Sequence, residues 1–221
     1  MATPIGNLSD ISFRAYHILK NVDLIACEDT RSSGILLKAL NIIGKKLISY
    51  HDYNEDSRSD SIITELKAGK SVVLISDAGT PCISDPGYRL VHKAIESDIR
   101  VIPIPGASSI LTALIASGLA IDSFIFLGFP PQKKGRQTFI RNCIKQDHTV
   151  IMLESVHRIM KLLEELCAAA GSDRKICIAR ELTKLHEEFI RGTIGECLIT
   201  LKKRQQIKGE FVVVLEKVKN L

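Results

Sequence analysis

Directly behind the apolar run Val72-Val73-Leu74-Ile75 comes Ser76-Asp77-Ala78-Gly79-Thr80-Pro81-Cys82-Ile83-Ser84-Asp85-Pro86-Gly87, with two Pro, two Gly and two Asp in one short stretch. Pro fixes φ, Gly admits positive φ, and short acids bond nearby amides, so such a loop holds one geometry and offers it to a ligand. Asp77, Thr80 and Asp85 provide acceptors that suit a cationic ligand carrying sugar hydroxyls. A second cluster, Glu28-Asp29-Thr30-Arg31, sets two acids beside a guanidinium. A carboxylate there can orient a hydroxyl or accept its proton, and Arg31 can grip a phosphate through two nitrogens. The plainer reading of the same residues is a helix start, with Asp29 or Thr30 as cap and Glu28 paired to Arg31. The opening Thr3-Pro4-Ile5-Gly6-Asn7 has one Gly where a dinucleotide fingerprint has three, and no Lys follows as in a phosphate-binding P-loop. Both NAD and ATP readings weaken accordingly, although such a loop can still hold a carboxylate or a ribose with its amides. His157 and His186 stand alone in sequence, which suits surface or helix-end positions, and no Cys/His grouping offers a metal site.

The elements that must position these clusters follow from periodicity. Ser9 or Asp10 is placed to cap a helix running to about Lys20, and only Met1 and Ala2 precede this loop, so a strand feeding it is expected to be nearly absent. Strands are expected at 22–27, 46–49, 72–75 and 100–104, and helices at 60–67, 88–96 and 107–117. The pattern restarts near 119–122, dividing the chain into expected domains 1–119 and 120–221. The second half reads as strands 123–127, 149–153, 175–179 and 211–215, with a basic helix at 137–145 and a long helix ending near 169. In the first half, strands alternating with helices imply βαβ units and a mostly parallel sheet. Nearly every unusual cluster follows the C-terminal end of an apolar strand, the edge where open α/β sheets bind ligands.

The chain has 221 residues, 45% of them hydrophobic, and a formal net charge of +5, compatible with a polyanionic partner without requiring one. Aromatic content of 5% with no Trp argues against a platform of stacked rings for single-stranded nucleic acid. Positive charge gathers instead at Lys133, Lys134, Arg136, Arg141 and Lys145, and more weakly at Lys202-Lys203-Arg204, where RNA phosphates or plain solvent would be met. The six cysteines form no C-x-x-C pair and mostly lie in apolar runs, as reduced, packed thiols do. No leader or membrane-length apolar run is read, and a cytoplasmic location is expected.

In order, T-P-I-G-N-L-S-D, E-D-T-R, S-D-A-G-T-P-x-I-S-D-P-G, P-I-P-G-A-S-S, G-F-P-P, E-S-V-H-R and R-E-L-T-K resemble the tetrapyrrole methylase superfamily, and within it the branch directed at ribosomal RNA. The resemblance implies two α/β domains with S-adenosylmethionine in the cleft between them, commonly in a homodimer. It implies methylation of a cytidine ribose 2′-hydroxyl in the decoding region of 16S ribosomal RNA within the 30S subunit. Carried onto matching positions, the cofactor lies against Pro4, Ile5, Gly6, Asp77, Gly79, Thr80, Ser108 and Ser109, with backbone near Leu127, Gly128 and Leu182. The comparison does not fix a catalytic group; Glu28 and Asp29 are nominated as orienters or base and Arg31 as an RNA holder. The competing readings are a corrinoid-precursor or modified-histidine methyltransferase of the same superfamily, and a protein that keeps the cofactor pocket without turnover.

Overall fold

A computed structural model of the chain describes residues 1–218. Two compact units follow one another, Met1–Ser108 and Ser109–Leu221. In the first, a 3-10 turn over Leu8–Asp10 precedes helix α1 (Phe13–Asn21), strand β1 (Leu24–Cys27), α2 (Thr30–Ala39), β2 (Lys46–Ser49), α3 (Glu55–Lys67), β3 (Val72–Ile75) and α4 (Tyr88–Glu96). Ser12, rather than Ser9 or Asp10, caps α1 by accepting the Ala15 N–H at 3.1 Å. Ser9 and Asp10 are consumed one turn earlier, because the Asn7 side chain accepts the Ser9 N–H and closes the 3-10 turn first.

The three strands form a parallel sheet in the order β2-β1-β3, with Leu24 beside both Lys46 and Val72 and Cys27 beside both Ser49 and Ile75. Central β1 is buried at every position and separates two apolar layers. Leu19, Ile25, Leu37 and Ile75 pack in one, and Ala26, Tyr50, Ile62 and Leu90 in the other. Each large side chain withdrawn in this way contributes about 1.5–3 kcal/mol.

The strand expected at 100–104 belongs to no ladder. A strand needs a partner along its length, and this segment is met at single points, by the Ala2 N–H at Ile104 O (3.2 Å) and the Arg14 guanidinium at Pro103 O (3.3 Å), while the Met1 ammonium donates to Leu74 O of β3 at 2.8 Å. Beyond them lies an apolar hollow of about 630 Å³ whose walls include Ile18, Leu66, Val72, Leu90, Val101 and Ile102. Burial in this hollow lowers the Met1 ammonium below its ordinary pKa of 8.0, with the nearby Cys82 opposing the shift.

The second unit contains α5 (Ser109–Ile115), β4 (Phe124–Phe126), α6 (Arg136–Ile144), β5 (Thr149–Glu154), α7 (Ile159–Ala170), β6 (Lys175–Arg180), β7 (Glu188–Thr193), α8 (Ile194–Lys202) and β8 (Phe211–Leu215). Its sheet runs β4-β5-β8-β6-β7, and only β4 and β5 are parallel. The parallel sheet expected from the alternation in the first half is found in the first unit, whereas this second sheet is mixed. β7 turns straight back along β6, and β8 returns antiparallel between β5 and β6. Val150, Met152, Leu162, Leu166, Ile178 and Val213 build the core of this unit. Sequence reading missed β7 and α8, although Thr193-Ile194-Gly195-Glu196 carries the capping-box spacing and forms that box. All six cysteines are free, and among the described residues no helix is long and apolar enough to cross a membrane.

Candidate functional site

Because β1 and β3 run parallel and in register, Glu28 and Ser76 leave the sheet at the same edge. The two loops join there, the Asp29 N–H donating to Asp77 Oδ1 at 3.2 Å. The amino-terminal segment is clasped to the same place: the Thr3 N–H donates to Gly79 O at 2.8 Å and the Gly79 N–H returns to Thr3 O at 3.1 Å. The Thr3 hydroxyl adds a bond to Ser76 O at 3.2 Å, and the Thr80 hydroxyl donates to Ala107 O at 3.2 Å. Four segments far apart in sequence, around Thr3, Glu28, Asp77 and Ala107, thus share one rim of the first unit. Along it Ile5 is buried, Pro4 half-buried, and Gly6, Asp77 and Thr80 exposed.

The loop after β3 is held in an unusual backbone path. Gly79 has φ of +83°, and a Cβ there would stand 3.2 Å from Ile5 Cγ2. Cys82 and Ser84 take positive φ of 69° and 62° without being glycines, a conformation that persists only where the surroundings impose it. The far end is anchored by Glu55, whose Oε1 accepts the Gly87 N–H at 2.7 Å and the Tyr50 hydroxyl at 3.1 Å.

The carboxylates of this rim are not equivalent. Asp29 accepts the Arg31 N–H at 2.7 Å and pairs with its guanidinium at 2.7 Å, and that side-chain bond holds its pKa down to about 2. Asp29 is therefore the helix cap of the plainer reading, and Arg31 pairs with Asp29 rather than with Glu28. Glu28 is half-buried, and burial raises its pKa, with Asp85, Asp77 and Asp52 pushing the same way. Asp85 is also raised by burial, against a bond from Ser76. The rim thus combines one spent carboxylate, two reluctant ones and the exposed Asp77, which favours a cation and can accept from hydroxyls. Among the described residues no group of three or more His, Cys, Asp or Glu is arranged to hold a metal ion.

In the second unit, the Leu127 N–H donates to Ile151 O at 2.9 Å and the Leu153 N–H to Gly128 O at 3.0 Å, which fixes the Leu127-Gly128 backbone on β5. Leu182 is buried between Glu181 and Thr183, both at positive φ, a strained turn with no signal in the residue types. Lys133, Lys134, Arg141 and Lys145 are exposed, but Arg136 is not. Only 4% of its side chain meets solvent: Nε contacts Glu165 at 2.6 Å, Nη1 donates to Pro131 O at 3.0 Å, and Glu154 lies 3.7 Å away. Its expected place in a phosphate-binding face is corrected, because a buried guanidinium must spend its charge on carboxylates. The weaker basic tract is likewise largely committed, Lys202 to Glu164 and Arg204 to Glu188. His157 and His186 are exposed.

Comparison with known proteins places this geometry. Residues 2–198 match the family of tetrapyrrole (corrin/porphyrin) methylases. Ribosomal RNA small subunit methyltransferase I of Hydrogenobaculum sp. is 48% identical over 220 residues, covering 99% of this chain and 95% of that protein. The protein of the same name from Synechocystis sp. is 46% identical, covering 97% and 77%. Among solved structures, diphthine synthase superposes with a TM-score of 0.73 at 18% identity, covering 98% of this chain and 88% of that one. A cobalt precorrin-4 methyltransferase gives 0.66 at 14% identity, covering 96% and 90%. At such identities the structural likeness speaks for the fold.

The clasp at Gly79 can be tested by adding one methyl group. Gly79→Ala strains a positive φ and crowds Ile5, so a loss of about 1–2 kcal/mol in urea-unfolding stability is expected. An unchanged midpoint would mean that the clasp tolerates a Cβ.

Proposed function

We infer the activity from a single premise: the chain belongs to the tetrapyrrole (corrin/porphyrin) methylases and, within them, to the ribosomal RNA small subunit methyltransferase I group. On this reading it methylates the ribose 2′-hydroxyl of a cytidine in the decoding region of 16S ribosomal RNA, acting on the 30S subunit, as a homodimer in the cytoplasm. The observation that carries the reading is the 48% identity extending over 99% of the chain.

S-adenosylmethionine is the methyl donor in this proposal; bound, it supplies an electrophilic methyl group on a sulfonium. The first unit's rim fits such a molecule by its donor set. Asp77 is an exposed carboxylate for ribose hydroxyls or positive charge, and the backbone of Pro4, Ile5, Gly6, Gly79 and Thr80 lines the same rim. Ser108 and Ser109, and in the second unit Leu127, Gly128 and Leu182, are further proposed contacts.

Methyl transfer from a sulfonium gains most from alignment, with a base assisting loss of the poorly acidic hydroxyl proton. Glu28 is the best-suited base on the rim, half-buried and with its affinity for protons raised by burial and by neighbouring acids. Asp29 acts through Arg31: by capping α2 and holding the guanidinium it presents a positive group that a backbone phosphate can share.

Incubating the protein with unmodified 30S subunits and labelled S-adenosylmethionine tests the reading. Label in cytidine ribose supports it; label on a corrinoid precursor or a modified histidine instead, or cofactor binding with no transfer, favours a competing reading. Glu28→Gln is expected to lower kcat by about 10²-fold or more while cofactor binding persists. In the parent enzyme the acid limb of kcat should lie above the ordinary Glu value of 4.5, because the base works only when deprotonated and its pKa is raised. A Glu28→Gln enzyme with the parent's kcat and pH profile would remove Glu28 as base. Replacing Lys133, Lys134 and Arg141 together by Ala should make log K for 30S binding less salt-dependent, by about 2 in slope. An unaltered slope would return these side chains to a solvated surface.

A further inference from the structure

Between β4 and α6 runs a loop whose two ends are pinned and whose middle presents a ring. Gly128, at φ of +65°, is bonded to β5 through Leu153, and Pro130 is buried. Pro131 O accepts from the buried Arg136 at 3.0 Å. Arg136 is fixed in turn by Glu165 at 2.6 Å and faces Glu154, which Arg158 holds at 3.0 Å and the Ser155 N–H at 2.8 Å. A charge cluster this deep adds little to stability over apolar residues of similar size, so its value lies in what it orients. Through Pro131 it fixes the loop two residues beyond Phe129, half of whose surface, 50%, meets solvent, and the exposed Lys133 and Lys134 follow.

We propose that the loop Gly128–Gly135 is an RNA-reading element: the Phe129 ring stacks on an unpaired base, Lys133 and Lys134 take neighbouring phosphates, and the Arg136 cluster sets the loop's shape. The assignment rests on the RNA-directed reading above. One ring is enough for this purpose, because a single aromatic face held in place orients one base, whereas a platform for long single strands needs several. The short basic run after the ring matches the spacing problem of holding a base and its adjoining backbone together. Phe129 and the lysines would touch RNA; Arg136 acts through them as a positioning residue.

The test uses the full-length protein and unmodified 30S subunits. Phe129→Leu keeps the apolar bulk and removes the flat face; it should raise KM for 30S subunits by about 5- to 100-fold. The calorimetric Kd for S-adenosylmethionine and the Tm should stay at parent values, and Phe129→Tyr should restore KM. An unchanged KM in Phe129→Leu, or an equal loss of cofactor affinity, would overturn the proposal. The paired change Arg136→Met with Glu165→Gln removes the clamp and its carboxylate partner together, while Arg158 still holds the buried Glu154. It should raise KM for 30S subunits, and adding Phe129→Leu to it should raise KM little further, since both act through one ring. Full additivity would overturn the positioning role. If the parent enzyme methylates no ribosomal RNA, the RNA-directed reading itself fails; if it does and Phe129→Leu is indistinguishable, only the present inference fails.

Discussion

The reciprocal pair of backbone bonds between Thr3 and Gly79 is the constraint on which the first unit's site depends. Each bond is worth about 0.5–1.5 kcal/mol net, which is modest, yet together they fix position as no apolar contact does. Parallel pairing of β1 and β3 brings two loops to one edge of the sheet, and the Thr3–Gly79 clasp adds the amino-terminal segment. The Thr3 hydroxyl, donating to Ser76 O, reinforces the clasp beside Asp77. Gly79 is suited to this role because its positive φ lets both its N–H and its C=O face Thr3.

Strands β1 and β3, the loop behind β3 and the helix start at Asp29 were all legible in the residues. Local chemistry dictates them: β-branched runs make strands, Pro and Gly fix turns, and a short acid caps a helix. Family resemblance rested on the same loops, and the identity with full-length relatives bears it out. The illegible parts depend on distant partners. Arg136 sits among lysines in sequence, and its burial is decided by Glu154 and Glu165, which arrive on β5 and α7. Residues 100–104 have strand composition, but a ladder needs repeated pairing, and among the described residues this segment is met by the single backbone bond from the Ala2 N–H to Ile104 O. The mixed direction of the second sheet follows from where β8 inserts, which no local pattern encodes.

The acidic groups of the first rim illustrate how one neighbourhood sorts like side chains into different states. Asp29, bonded to Arg31, keeps its charge into strong acid, while Glu28 and Asp85, withdrawn from water and facing other carboxylates, hold their protons more firmly. The difference comes from burial and partners rather than residue type. Asp29 as a cap is legible in Glu28-Asp29-Thr30, but the raised proton affinity of Glu28 is not, because Asp77 and Asp85 reach it only through the fold.

β8 lies at the middle of the second unit's sheet, buried at all five positions and bonded on both sides. Among the described strands it is also the one made latest. During synthesis β5 and β6 emerge with a vacant lane between them, and neither can complete its hydrogen bonding until β8 itself has left the exit tunnel. The first unit's parallel sheet faces no such delay, since β3 closes it before any strand of the second unit is made. The two sheets therefore close at different times during synthesis, with the open lane the stretch most in need of shielding by chaperones meanwhile.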